Sequence, residues 1–387
     1  MKIKELLLKL ADKYFEEFMS RGCAIEGHNG PHGHNDTPAR NTAHWLIVYS
    51  YAYKCTGRED YLKLCIKFSD YIIELHNQSK SGAVICMKDD QYNHLNGLMG
   101  QAWIIEALVY FYKIVKDEKY FKAAYDIFNV QQYCSKEKMW QMIELDGTNI
   151  GFDFTFNHQL WFAAAGSDLL SCHEDPDLRC LLNDYLDGCM MNHFQVHHDG
   201  LIKHYGDLQS PYYRESIIRT IVKKYVKLLF FKEKRKLNPN KYDPDAFERG
   251  YQLFNLYAFA IIYSHLPEHP IFKDIKLKKA IEYGKKIEKH NNYFNVYNVL
   301  QGKSKEMNKY AYAYNSPAFE FPYVYKVFGI NDLESICEKL MKIQMDLTYD
   351  NNAEMFSNNV SDSNTLTSRI YEVVRYLDIM DEEMEYE

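Results

Sequence analysis

The sequence predicts an all-α protein, a double-layered (α/α)6 barrel of about six helical hairpins. Three observations predict it. Apolar residues fall at helical spacing through most of the chain, a helix–turn–helix signature recurs at intervals of about 60 residues, and polar, glycine-bearing segments lie between the helical pairs.

Trp45–Ala52 and Ile104–Tyr110 are apolar stretches that, with their flanks, exceed the length of a strand. The repeat is clearest where Tyr53-Lys-Cys-Thr-Gly57-Arg-Glu-Asp-Tyr61-Leu-Lys-Leu matches Tyr112-Lys-Ile-Val-Lys-Asp117-Glu-Lys-Tyr120-Phe-Lys-Ala. In each an aromatic helix ends, a short polar turn follows, and a new helix opens on Tyr. Weaker echoes stand at His173-Glu-Asp-Pro-Asp-Leu, His265-Leu-Pro-Glu-His-Pro-Ile-Phe and Phe328-Gly-Ile-Asn-Asp-Leu. Six such steps fill residues 1–387 as one domain, and six pairs is the number that closes the toroid. Closure puts the loops that enter inner helices on one face. Gly27–Asn41, Met87–Gly97, Asp146–His158, His197–Tyr205 and Tyr310–Glu320 are therefore expected at one mouth.

Composition narrows the function classes. Hydrophobic residues at 47%, charged residues at 26% and a net charge of −7 describe an ordinary surface and give no reason to expect nucleic acid. Aromatic residues reach 15%, with 33 Tyr and 22 Phe. A flat apolar ring with a polar tip suits a wet concave surface, although compositional drift would produce the same excess. The nine cysteines are scattered without a CxxC pair and read as small buried hydrophobes in a reducing compartment. Met1–Met19 alternates charged and apolar residues and carries no signal-peptide pattern. No apolar run approaches the roughly 18 residues of a membrane span. The expected location is cytoplasmic, with no transmembrane segment. Arg219–Lys241 departs from the pattern, with nine Lys or Arg around Leu228-Leu229-Phe230-Phe231. It reads as a solvated helix or as a basic contact for an acidic glycan, a partner or a membrane surface.

Three segments carry candidate chemistry. In Asp146-Gly-Thr-Asn-Ile-Gly-Phe-Asp153-Phe-Thr-Phe-Asn157-His158-Gln-Leu-Trp161 a glycine-punctuated loop runs into an apolar helix. Asp153, Asn157 and Trp161 are spaced to share one face at its start. Phe152, Phe154 and Phe156 would desolvate the Asp153 carboxylate and raise its pKa toward a proton donor's range. The alternative is a helix cap with Trp161 in the core. In Lys88-Asp89-Asp90-Gln-Tyr-Asn-His94-Leu-Asn96-Gly97, Asp90 is the candidate second carboxylate, with Asp89 beside it. His28–Trp45 holds four of the fifteen histidines. His32, His34 and Asp36 could ligate zinc, but no HExxH or Cys/His frame supports a metal. The loop reads better as pocket lining, with His44, Arg40 for a carboxylate or sulfate, and Trp45 for stacking on a sugar. Later loops offer His204, Tyr312, Asn315 and Arg369 to bind hydroxyls. No GxSxG, P-loop or GxGxxG occurs, and no cofactor is expected.

The hairpin period together with Asp153-x-x-x-Asn157-x-x-Leu160-x-x-Ala163 resembles the six-hairpin glycosidase superfamily, nearest to the unsaturated glucuronyl and rhamnogalacturonyl hydrolases. The resemblance implies a hydrolase or hydratase of uronic-acid-containing oligosaccharide or polysaccharide, with Asp153 as acid/base, Asp90 or Asp89 assisting and Trp45 stacking. It is defined over roughly the first 170 residues. His94-Leu-Asn96-Gly97 departs from it, since the family's Asp is expected nearly at that helix start. A second likeness, to the acylglucosamine 2-epimerases, makes His94, His158 and His204 central. A third reading is a non-catalytic glycan-binding protein.

Overall fold

The computed structural model describes residues 3–88, 93–205, 246–286 and 308–385. Asp89, Asp90 and the basic segment 219–241 lie outside the described residues.

The inner layer is a closed ring. Its helices are α2 (Ala39–Thr56), α4 (Gly97–Val115), α6 (Phe156–Leu170), α8 (Ala246–His265) and α10 (Pro317–Phe328), completed by α12 (Ser363–Ser368) running into the 3-10 turn Arg369–Val373. Each packs on the next, and the last packs back on α2. Outside them stand α3 (Glu59–Gln78), α5 (Glu118–Val130), α7 (Pro176–Gly188), α9 (Ile275–Lys285) and α11 (Leu333–Thr348), with α1 (Ile3–Arg21) against α2 and α3. The final helix, α13 (Val374–Glu385), continues from the 3-10 turn.

The two layers follow from two kinds of sequence. Outer helix α3 buries Tyr61, Leu64, Cys65, Phe68 and Ile72, a stripe at helical period. Inner helix α2 buries every residue from Ala39 to Ala52, because it has neighbours on all sides. Helix α4 is long and apolar enough to cross a membrane by length and composition, but it is mostly buried within the ring. It contains the apolar stretch Ile104–Tyr110 that the sequence reads as helix.

The repeat seen in the sequence is a structural one. Gly57 ends α2 at φ 66° and Lys116 ends α4 at φ 57°, so both turns use a left-handed residue. Lys116 adopts without glycine a conformation that costs an L-residue about 1–2 kcal/mol. Tyr61 and Tyr120 are buried at equivalent positions beyond the two turns. At the third turn Asp175 caps α7 through the amides of Asp177 and Leu178, with Pro176 at the first helical position.

The sequence reading held no strands, and the described residues form two small sheets. Gln132–Cys134 (β1), Met139–Ile143 (β2) and Asn149–Phe152 (β3) form an antiparallel meander between α5 and α6, with a bulge at Met142/Ile143. Tyr349–Asp350 pairs with Met355–Phe356 near the C-terminus. Period-2 alternation over segments this short is indistinguishable from loop.

At the end away from the inner helix N-termini, Arg375 binds Glu106 at 2.8 Å and Asp168 at 2.5 Å. His265 adds a 3.1 Å contact to Asp168. This buried ion cluster ties α4, α6, α8 and α13 together, and removing one partner of such a cluster typically costs about 3–5 kcal/mol.

Candidate functional site

The N-termini of the inner helices open on a concavity of about 310 Å³. Asn29, His32, His34, Asn93, Asn96, Trp103, Asn157, His158, His204, Tyr251 and Tyr314 supply the polar groups of its wall. Met87, Met99, Phe247 and Phe254 supply apolar surface.

The best-defined constellation is Asp153 with His158. Asp153 is not on α6 but ahead of it, in the extended segment that leaves β3. Its Oδ2 accepts from the Leu98 amide at 3.1 Å and from His158 Nδ1 at 2.7 Å, and its Oδ1 accepts from the Thr155 amide at 3.1 Å. The carboxylate thus sits at the N-terminus of α4, where the helix dipole favours negative charge. Burial pushes its pKa up, as the phenylalanines predicted, but the His158 ring and the two amides outweigh it and hold the group below the usual carboxylate range. The expectation of a raised, proton-donating Asp153 is corrected here: three donors stabilise the ionised form.

An ionised carboxylate only accepts, so His158 carries its proton on Nδ1 and presents Nε2 as its other nitrogen. Two backbone features make room for this pair. Asn96 and Gly97 are both left-handed, at φ 58° and 61°, which turns the chain so that the Leu98 amide meets Asp153. A Cβ on Gly97 would stand 2.3 Å from Asp153 Oδ2 and 2.4 Å from His158 Nδ1.

A second pair faces the same space. His32 Nε2 meets the Tyr251 hydroxyl at 2.9 Å. Burial, with Arg40, His34 and His158 adding like charge, lowers the His32 pKa to about 4. His204 is edge-on to Phe247 with ring centroids 4.3 Å apart, and burial lowers its pKa to about 3. Both rings are therefore neutral near pH 7. Glu248 holds the His204 loop, its carboxylate accepting from the His204 amide at 3.1 Å and meeting His197 Nε2 at 2.6 Å.

These shifts predict a titration. In histidine NMR spectra His32 and His204 remain uncharged at about pH 5, where a free imidazole of pKa about 6.5 is mostly protonated. Because the folded values are depressed, the unfolded chain binds more protons between about pH 6.5 and 3. The two rings therefore withdraw stability as pH falls through that window. Protonation of either ring near its free value would contradict the geometry.

The structure sorts the sequence candidates. It brings Asn96, Asn157, His158 and His204 to the pocket wall, with Asp153 directly behind. His94 does not line the pocket; its ring stands 3.6 Å from Glu144, and its carbonyl anchors the amides of Cys86 and Met87. Arg40 is buried behind the wall, spent on Asn29, Asp36 and Tyr314 rather than open to a carboxylate. His44 bonds Ser368 at 3.0 Å and stacks on Tyr371. Trp45 packs on Tyr14 and Phe18 under α1, away from the pocket. Trp161 donates to the Phe254 carbonyl at 3.2 Å inside the core. Tyr312 is buried, and Asn315 ties its loop to the Gly250 carbonyl, so Tyr314 is the residue of that loop on the wall. Arg369 pairs with Glu320 at 2.9 Å and with Glu372.

Sequence reasoning missed Asn93, Trp103, Phe247, Phe254 and Tyr251 on the wall. The aromatic excess was the available signal, but it does not say which rings face inward. His32 and His34 do line the pocket, as the pocket-lining reading of their loop expected.

No protein-family model matches the chain. It is 29% identical over 385 residues to Archaeal glycosylation protein Q of Haloferax volcanii, covering 96% of this chain and 97% of that one. Among solved structures it resembles a sugar epimerase from a ruminal bacterium, with TM-score 0.60, 13% identity and 97% and 98% of the two chains covered. It also resembles the unsaturated glucuronyl hydrolase of Bacillus sp. GL1, with TM-score 0.58, 11% identity and 97% and 95% covered. The chain has the six-hairpin (α/α)6 barrel fold that these epimerase and hydrolase structures share.

Proposed function

We propose that the chain is a carbohydrate-active enzyme and that its pocket works by histidine acid/base chemistry of the epimerase or isomerase type. The observation that carries the reading is His158, whose tautomer is fixed by an ionised Asp153 at 2.7 Å and whose ring lines the pocket with neutral His204. A base that must take a proton from carbon needs a free nitrogen of defined direction, and this pair supplies one. Nε2 of His158 removes the proton next to the carbonyl of an open-chain sugar, and the electron pair moves to the carbonyl oxygen. Return of that proton to the neighbouring carbon, with the adjacent hydroxyl's proton passing to the former carbonyl oxygen, completes an isomerisation. Delivery of a solvent proton to the opposite face of the same carbon, with His158 releasing the proton it took to solvent, completes an epimerisation. No bond between heavy atoms breaks and no co-reactant enters. The inner helix N-termini favour the negative charge that develops on oxygen.

The relatives support a sugar substrate. One takes its name from glycosylation, and one structural neighbour is a sugar epimerase. The test is turnover of reducing sugars in deuterated water. Deuterium at a sugar carbon without bond cleavage is the expected result. Cleavage of an unsaturated uronyl oligosaccharide, with loss of its conjugated enol-ether absorbance, would overturn this reading in favour of the hydratase.

A further inference from the structure

Trp103 stands on α4 six residues beyond Gly97, about 9 Å further into the barrel at the helical rise. Its ring is part of the pocket wall and is clamped from two sides. The Arg40 guanidinium lies 4.3 Å over it, and the His44 ring meets it edge-on at 5.3 Å and 87°. Both neighbours are themselves fixed, Arg40 by Asn29 and Tyr314 and His44 by Ser368. The residue is 3% exposed, yet among the described residues its indole Nε1–H has no acceptor. An indole N–H can only donate, and burying it unpaired costs about 1–3 kcal/mol. Trp161, on the neighbouring inner helix but off the pocket, shows the ordinary solution by donating to a backbone carbonyl. On the same wall Asn157 Oδ1 is also buried, with no partner among the described residues.

We propose that Trp103 Nε1 is a donor held for substrate. It binds an oxygen of the sugar deep in the pocket, and with Asn157 nearer the mouth it selects the hydroxyl pattern that is accepted. The inference rests on the carbohydrate reading and adds to it a specificity-determining residue. Arg40 and His44 hold the ring in place, and no described residue accepts from its N–H, so the acceptor assigned to it is an oxygen of the ligand. A sugar lacking that oxygen leaves the donor buried and unpaired, which is the strongest form of discrimination such a site has.

The test replaces Trp103 by β-(3-benzothienyl)alanine, which keeps the bicyclic shape and puts sulfur where the N–H was. Trp103→Phe serves as a second variant. Binding of D-glucose, D-mannose, N-acetyl-D-glucosamine and D-glucuronate is followed by saturation-transfer NMR, alongside the melting temperature without sugar. The expected result is binding weakened about tenfold by the isostere with an unchanged or higher melting temperature, because an unpaired donor has been removed. Unchanged binding, or a melting temperature that falls together with binding, would overturn the inference and assign Trp103 a structural role. Should the wild-type protein bind none of these sugars, the carbohydrate reading itself falls, an outcome distinct from the isostere result.

Discussion

His158→Gln reduces turnover by about a thousandfold or more while leaving the circular dichroism spectrum and melting temperature near wild type. The ring is partly exposed to the pocket and bonds Asp153, so its loss removes the proposed base without emptying the core. Asp153→Asn should cost about 10²–10⁴ in kcat by a different route. Oδ2 accepts from Leu98 and His158 while Oδ1 accepts from Thr155. An amide cannot accept at both positions. With its NH2 toward His158 it meets the Leu98 amide head-on and drives the imidazole to the other tautomer; reversed, it opposes the Thr155 amide. The variant therefore also loses about 1–3 kcal/mol of stability, the cost of an unsatisfied buried donor. Deuterium exchange and denaturant titration on the same two proteins check both claims. If Asp153→Asn kept its activity, Asp153 would be a helix cap and nothing more.

Gly97→Ala is expected to be the most damaging single-methyl change at the mouth. Gly97 holds φ 61°, which costs an alanine about 1 kcal/mol or more, and its Cβ would fall 2.3 Å from Asp153 Oδ2 and 2.4 Å from His158 Nδ1. Two penalties meet at one position. Relief requires moving the carboxylate or the imidazole, and either movement breaks their 2.7 Å contact. The variant should lose about 2 kcal/mol or more and most of its turnover. Gly147→Ala is the matched control, since Gly147 also has positive φ but nothing stands within 4 Å of its added Cβ. Equal stability losses with activity kept in both would show that backbone strain alone acts at Gly97.

How far the sequence carried depends on the range of the interaction. The turns after Tyr53 and Tyr112 were legible because a helix stop, a left-handed residue and a new amphipathic stripe are written within about twelve residues. Asp153, Asn157 and His158 were found because a glycine-bearing loop running into an apolar helix is also local. The charge state of Asp153 was not. The phenylalanines that argued for desolvation are its chain neighbours, whereas the Leu98 amide that reverses the outcome comes from a helix 55 residues away. Trp45 and Trp161 had the composition of sugar platforms, but barrel closure turned the first toward α1 and the second toward α8. It was Trp103, unremarked in the sequence, that reached the pocket wall.

By itself the sequence determined the helical hairpins, their count, and which loops gather at the mouth, since all three depend on periodicity and turn chemistry along the chain. Only the tertiary structure decided which aromatic rings face inward, that Arg40 and Arg369 are spent on buried partners, and that the carboxylate of the Asp153–His158 pair is ionised. Those outcomes depend on groups brought together from different hairpins, and electrostatics and hydrogen bonding at 3 Å answer to spatial neighbours rather than to chain neighbours.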